Sequence, residues 1–231
     1  MANSSIALLL GRTALFGLLP QADREAVAAS MRKAMFKSGQ TIFTRGDAGS
    51  DVYLVVEGRV RLSVFSPDGR ALSFKHANAG DVFGEIAALD RGVRTADAIA
   101  LTRVEVMTLA QARLNALIET NPRVARAAIA FLCLRLRETS EQVEGIALHP
   151  IEVRLARFLH SKLKQREASG IASEAPLELG MSQNELALLI GASRQKVNAA
   201  LAHLGEAGAV KRTGSRLVCN ATKLELIAAP A

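Results

Sequence analysis

The chain reads as an α+β protein in three parts: an N-terminal small β-barrel or jelly roll, one long helix, and a C-terminal winged helix-turn-helix. Three observations carry this reading. Short β-rich runs alternate with turn signals from about Thr41 to Leu109, an apolar seam of helical spacing runs from Ala125 to Ile146, and two capped helical segments follow Met181. The parts are expected at residues 1–120, 121–149 and 150–231. A length of 231 residues suits one large or two modest domains.

Taken in order, Ile6 to Phe16 is apolar but has no basic residue before it and is interrupted by Arg12, which predicts a short amphipathic helix rather than a signal peptide. The β-rich runs are Thr41–Phe43, Val52–Val56, Val60–Phe65, Ala71–Lys75 and Val104–Leu109. Between them stand Arg45-Gly46-Asp47, Glu57-Gly58, Ser66-Pro67-Asp68-Gly69 and Ala79-Gly80-Asp81. Proline presets φ and glycine accepts φ > 0, so Pro67-Asp68-Gly69 predicts a hairpin. Regular short strands of this kind suggest a small closed β architecture.

Pro122 can open a helix at its first turn. Within it Ala125, Ile129, Leu132, Leu136, Thr139, Val143 and Ile146 repeat with 4-3 spacing, an a/d seam over about three heptads. Val124, Phe131 and Leu134 form a second apolar side, suited to packing on the barrel while the seam meets a second copy of the helix. A homodimer through residues 121–149 is therefore expected. His149-Pro150 ends the helix. A further helix over Ile151 to about Gln165 follows, with Val153, Leu155, Phe158 and Leu159 as its apolar face, then a polar loop, Arg166 to Ala175.

Composition excludes several classes. Two distant cysteines, Cys133 and Cys219, rule out a disulfide framework, a zinc finger and a four-cysteine iron–sulfur cluster. No Trp, one Tyr and eight Phe argue against stacking on single-stranded nucleic acid. No run reaches the roughly 18 apolar residues of a spanning helix, so no membrane partner is expected and residence in the cytoplasm is. The net charge of +7 is uneven: 18 basic against 15 acidic residues up to position 150, and 11 against 7 after it. No His/Cys/Asp cluster has nucleophile or metal spacing, so neither an enzyme nor a metal site is expected.

In the C-terminal part, Ser182 and Glu185 form a capping box that starts a helix through Leu186, Ala187 and Ile190. Gly191 ends it, and Ser193 caps a second helix from Arg194 to about Leu204, with Val197 and Leu201 facing inward. Arg194, Gln195, Lys196 and Asn198 then point outward, the residue types that read base edges in a major groove. Ser182, Asn184 and Ser193 lie near the two helix starts. Beyond Glu206-Ala207-Gly208, the segment Lys211-Arg212-Thr213-Gly214-Ser215-Arg216 between Ala209-Val210 and Leu217-Val218 reads as a hairpin wing with a basic tip for phosphates. Pattern, wing and local charge together point to duplex DNA.

A second constellation is Gly80 to Ala100. Gly84 permits close backbone approach, Glu85 offers an acceptor, and Ile86-Ala87-Ala88 can present backbone N–H groups in a short turn. Arg94 offers a fork for a phosphate and Thr95 a hydroxyl. These residues suit a small nucleotide, or a Glu85–Arg94 salt bridge in a tight loop; residue types alone leave both open.

Phe-Gly-Glu-Ile-Ala-Ala-Leu over 83–89, with Arg-Thr-Ala over 94–96, resembles the phosphate-binding cassette of cyclic-nucleotide-binding domains. With the helix-turn-helix, the chain is similar from about Leu15 to Val218 to the cyclic-AMP receptor protein / fumarate–nitrate regulator (Crp/Fnr) superfamily of transcription regulators, which implies an N-terminal cyclic-nucleotide-binding β-roll (double-stranded β-helix), a long dimerisation helix and a C-terminal DNA-binding domain. The resemblance implies that Glu85 binds the ribose 2′-hydroxyl and Arg94 the cyclic phosphate, assisted by Thr95 and the backbone of Gly84, Ile86 and Ala87. It also implies that Arg135 steadies Glu85 while Thr139 of one subunit and Ser140 of the other contact the base.

The implied protein is a homodimeric activator or repressor on a pseudo-palindromic operator, switched by a cyclic nucleotide: cyclic AMP first, cyclic GMP second, because Thr95 also occurs in cyclic-GMP-selective domains. The recognition helices would sit about 34 Å apart. RNA polymerase is a further expected partner. Gln195 and Ala199 stand where the receptor protein has Glu and Arg, so the operator should differ. No haem or iron–sulfur cluster is expected: the cysteine cluster of oxygen-sensing relatives is absent, and a lone His76 beside a hairpin reads as a surface residue. Two rivals remain: the same architecture without a cyclic nucleotide ligand, and a cyclic-nucleotide-binding module acting on a separate protein.

Overall fold

A computed structural model describes residues 2–66, 71–166, 174–214 and 216–229 and separates into two compact units, Met1–Thr139 and Ser140–Ala231. The first begins with α1 (Ala2–Leu10) and α2 (Gln21–Ala29). Then follow β1 (Arg32–Phe36), β2 (Thr41–Phe43), β3 (Asp51–Glu57), β4 (Val60–Phe65), β5 (Ala71–Ala77), β6 (Val82–Phe83), α3 (Glu85–Asp90), β7 (Asp97–Ala100) and β8 (Val104–Ala110). Next come α4 (Gln111–Thr120) and α5 (Pro122–Leu148), whose last residues belong to the second unit. The strands form two antiparallel four-stranded sheets, β1-β8-β3-β6 and β2-β7-β4-β5.

The run Val52–Val55 is buried throughout because the sheet holding β3 is covered on both faces. Tyr53 and Val55 join the core shared with Val60, Ala77, Phe83, Ala98 and Val106. Val52 and Leu54, pointing the other way, pack with Leu10, Phe16, Val27, Ala88, Leu114 and Phe131 from the helices and the turns between them. The turn signals at Gly46, Gly58 and Gly80 take positive φ of 92°, 90° and 90°.

Several expectations need correction. The first helix stops at Leu10; Leu15 and Phe16 are buried in the turns that follow. The strands β1, β6 and β7 fall outside the runs read from sequence. The hairpin turn at Pro67-Asp68-Gly69 lies outside the described residues, although Phe65 and Ala71 pair on either side of it. His76 is half-buried in β5, opposite Arg61, rather than on the surface. On α5, Val124 and Phe131 are buried with Ala127 and Ala128, but Leu134 is 40% exposed and takes no part in that packing. Ile129, Leu132, Leu136, Val143 and Ile146 are exposed, with Ile129 at 63% and Leu136 at 68%.

The second unit comprises α6 (Ile151–Arg166), β9 (Glu174–Leu177), α7 (Gln183–Ile190), α8 (Arg194–Glu206), β10 (Val210–Thr213), β11 (Arg216–Asn220) and α9 (Ala221–Ala228). The antiparallel sheet order is β10-β11-β9. Leu155, Leu159 and Leu163 of α6 pack with Leu186, Ile190, Val197, Leu204 and Leu224. Val153 lies outside this core, and Leu201 is only partly buried at its edge. The polar loop is shorter than expected: Arg166 ends α6, and Glu174 and Ala175 belong to β9, with 167–173 outside the described residues. Pro176 fits because β9 is an edge strand, where a missing N–H costs little.

Candidate functional site

Two groups of side chains are built for recognition, one in each unit. In the first, Gly84 adopts φ 78° and forms the N-cap of α3, so the expected short turn at Ile86-Ala87-Ala88 is the body of a six-residue helix. A Cβ at residue 84 would fall 2.7 Å from Arg94 Nη1, which is why the position takes glycine. Arg94 is 3% exposed, and its Nη1 donates to the carbonyls of Asp51 and Gly84 at 2.9 and 2.8 Å. The guanidinium lies 4.3 Å from the Phe43 ring centre and 5.5 Å from that of Tyr53, which stacks on Phe83. Its Nε is buried without a hydrogen-bond partner, and among the described residues Arg94 forms no ion pair. Burial lowers its pKa below the ordinary arginine value. The carboxylates of Asp51, Glu85 and Asp47 act on this cation from beyond ion-pair distance, so among the described residues no acid neutralises it by direct contact and an anion at its free edge would be favoured.

Glu85, 6% exposed, does not pair with Arg94; the simple Glu85–Arg94 salt bridge is therefore not formed. Its Oε1 is 3.6 Å from Arg135 Nε. Burial raises the Glu85 pKa, and the Arg135 charge only partly offsets this. Arg135 also donates to Glu138 Oε2 at 2.8 Å and to the Val82 carbonyl at 3.0 Å, and its guanidinium lies 4.9 Å from the Phe131 ring centre. Thus Gly84, Glu85, Arg94 and Arg135 are brought together, with Ala87 buried and Ile86 and Thr95 exposed beside them. Thr139 and Ser140 are exposed on α5.

Sequence reasoning missed Phe43, Tyr53 and the Asp51 carbonyl as the cradle of Arg94, and Glu138 as a competitor for Arg135. The i,i+3 spacing of Arg135 and Glu138 was a readable signal; the cradle was not, because it joins β2 and β3 to a residue 43 positions away from Asp51.

In the second unit the capping box is complete. Ser182 Oγ accepts from Glu185 N, and Ser182 N donates to Glu185 Oε2 at 2.6 Å. Gly191 closes α7 at φ 69°, and Ser193 Oγ accepts from Lys196 N to start α8. Val197, Ala200 and Leu204 are buried, leaving Arg194, Gln195, Lys196 and Asn198 exposed, with Asn184 exposed on α7. Arg194 Nε donates to Gln183 Oε1 at 3.3 Å. In the wing, Lys211, Arg212 and Thr213 are exposed, Arg216 pairs with Glu178, and Ser215 lies outside the described residues. A groove of about 530 Å³ runs between α8 and the wing, bordered by Ser182, Asn198 and Arg212 over Leu201 and Leu217.

These two groups, an anion cradle beside a buried carboxylate and a capped helix-turn-helix with a basic wing, define a sensor-and-reader transcription regulator. The cyclic nucleotide-binding domain family matches residues 33–121, and the Crp-like helix-turn-helix domain family matches residues 153–227. The cyclic AMP receptor protein of Thermus thermophilus is 33% identical over 219 residues, covering 94% of this chain and 97% of that protein. The CRP-like cAMP-activated global transcriptional regulator of Mycobacterium tuberculosis is 28% identical over 210 residues, covering 91% and 93%. Among solved structures, FixK2 from Bradyrhizobium japonicum superposes with a TM-score of 0.74 at 24% identity, over 87% of this chain and 98% of that one, a likeness of fold. The chain belongs to the Crp/Fnr superfamily of transcription regulators. Among the described residues no helix is long and apolar enough to cross a membrane.

Proposed function

We propose that this regulator is a cytoplasmic homodimer whose binding to a pseudo-palindromic operator is switched by a cyclic nucleotide, with cyclic AMP the preferred effector. Its parts are a sensor over 1–120, a dimerisation helix over 121–149 and a DNA-binding part over 150–231. The observation that carries the effector reading is Arg94: a buried guanidinium with an unpartnered Nε and no carboxylate within ion-pair distance among the described residues can take up an anion. A cyclic phosphodiester supplies one. Glu85 would accept from the ribose hydroxyl, Arg135 would hold Glu85, Thr95 would assist at the phosphate, and Thr139 and Ser140 would meet the base across the dimer. The exposed apolar residues of α5 support pairing of two such helices. Relatives that are activated by cyclic AMP support that choice of base.

On DNA, Arg194, Gln195, Lys196 and Asn198 would read bases, while Ser182, Asn184, Ser193, Lys211, Arg212, Thr213, Ser215 and Arg216 would hold phosphates. As an allosteric switch, this requires the ligand to bind one dimer geometry better than the other, typically by about 1–3 kcal/mol. A second reading, the same architecture acting without a cyclic nucleotide, is favoured by one fact: Arg94 already donates to two carbonyls. Calorimetry with cyclic AMP and cyclic GMP decides between them. Saturable heat that is lost in Arg94→Ala supports the first reading; no heat with either nucleotide at millimolar concentration supports the second.

A further inference from the structure

The outward face of α8 has an unusual middle. At 3.6 residues per turn the buried Val197, Ala200 and Leu204 mark the inner side, and the opposite side is centred on Gln195, Ala199 and Ala202, all exposed. These three have i, i+4, i+7 spacing and form one stripe. Arg194 sits to one side, hydrogen-bonded to Gln183. Along this stripe α8 carries one amide, then two bare methyl groups, then the exposed Glu206 at its last position. No long side chain stands between those methyls and an approaching groove floor.

We propose that Ala199 and Ala202 are specificity-determining residues that contact thymine C5-methyl groups in the major groove, next to an adenine read by Gln195. An alanine side chain cannot hydrogen-bond a base edge, but it can bury against the one apolar group that a major groove displays, the thymine methyl. Ala199 and Ala202 are separated by about 4.5 Å along the helix axis, close to the roughly 3.4 Å rise of one base pair. With α8 lying along the groove, their methyls would fall over neighbouring pairs. Small residues also let the helix backbone approach the bases closely, so that the short Gln195 amide can reach them. Each half-site then contains an adenine with the two thymines on one side of it, a pattern that a helix with a basic side chain at 199 would not select.

The inference rests on the duplex-binding reading of α8, and the test separates the two. Full-length protein, with and without cyclic AMP, selects duplexes from a random pool; each thymine of the recovered half-site is then replaced by deoxyuridine, which removes only the methyl. Two positions per half-site should weaken by roughly fourfold each, the value of one buried methyl-sized group. Ala199→Gly, which removes the contacting methyl, should erase the uracil effect at one of these positions and Ala202→Gly at the other, each leaving the adenine preference in place. A preferred sequence that tolerates uracil everywhere overturns the methyl contacts alone. A uracil effect that persists in both glycine variants overturns them as well, since the methyl would then be read by another group. A pool with no preferred sequence overturns the duplex reading and this proposal with it.

Discussion

Replacing Arg135 with Met keeps the apolar stem of the side chain but removes the donors that reach Glu85, Glu138 and the Val82 carbonyl. The magnitudes differ by partner. The bond to the Val82 carbonyl contributes about 1 kcal/mol. Glu138 is half-exposed, so its pair with Arg135 contributes a few tenths. Glu85 decides the outcome. An uncompensated buried charge costs about 3–5 kcal/mol, but a carboxyl can escape by taking a proton. For an ordinary pKa of 4.5 that escape costs about 3.4 kcal/mol at pH 7. Because burial already raises the Glu85 pKa, this is an upper bound.

Arg135→Met raises that pKa further. A raised carboxyl pKa contributes stability that is fully present below the unfolded pKa and is lost as pH rises through the folded one. The variant should therefore lose about 1 kcal/mol below pH 4.5 and up to about 4 kcal/mol at pH 7, read from urea denaturation midpoints across that range. The double variant Glu85→Gln/Arg135→Met should recover most of the pH 7 loss. A deficit that is the same at both pH values, or a double variant as unstable as Arg135→Met, would refute the reasoning.

Two other expectations follow from the same site. Cyclic nucleotide affinity, measured by calorimetry, should fall as pH drops through the raised pKa of Glu85, because a ribose hydroxyl donates best to a carboxylate; Glu85→Gln should be weaker and flat from pH 7 to pH 5. An equally flat wild-type profile would remove Glu85 from the ligand site. Gly49→Ala should destabilise the first unit by about 1–3 kcal/mol and weaken the nucleotide together, since its Cβ would fall 2.2 Å from Ala87 Cβ and 3.4 Å from Arg94 Cζ. An unchanged denaturation midpoint would mean that α3 yields freely.

The helix-turn-helix was legible almost to the residue because its signals are local: two serine caps, a capping-box glutamate and a left-handed glycine each act within four positions. The strands Val60–Phe65 and Thr41–Phe43 were legible for the same reason, being bounded by turn residues. What escaped depends on tertiary partners. Val82–Phe83 is too short to show alternation and is a strand only because β3 pairs with it. Arg32–Phe36 mixes charge with apolar residues because one side of β1 is exposed. Leu134 satisfies the helical period, yet the packed side of α5 runs through Val124, Ala127, Ala128 and Phe131 instead. At the ligand site the acceptor and the arginine were readable as a motif, but their separation into an Arg94 cradle and a Glu85–Arg135 pair was not. It depends on which of two cations lies within 4 Å of one carboxylate.

That separation bears on how a signal would leave the cradle. Arg94 and Glu85 form no ion pair, so an anion bound at Arg94 would act on α3 through Gly84, whose carbonyl Arg94 holds. Helix α3 cannot move alone. Ala88 is fully buried in the same core as Leu114 of α4 and Val124 and Phe131 of α5, and Gln111 donates to the Ala87 carbonyl at 3.2 Å. Close-packed cores shift between discrete arrangements rather than deforming smoothly. A change at α3 must therefore be taken up by α4 and the first half of α5, with Arg135 as the polar link between that helix and Glu85. No wire of hydrogen bonds is needed for that: one shared apolar core and one arginine tie the Arg94 site to the part of α5 that lies in the first unit, up to Thr139.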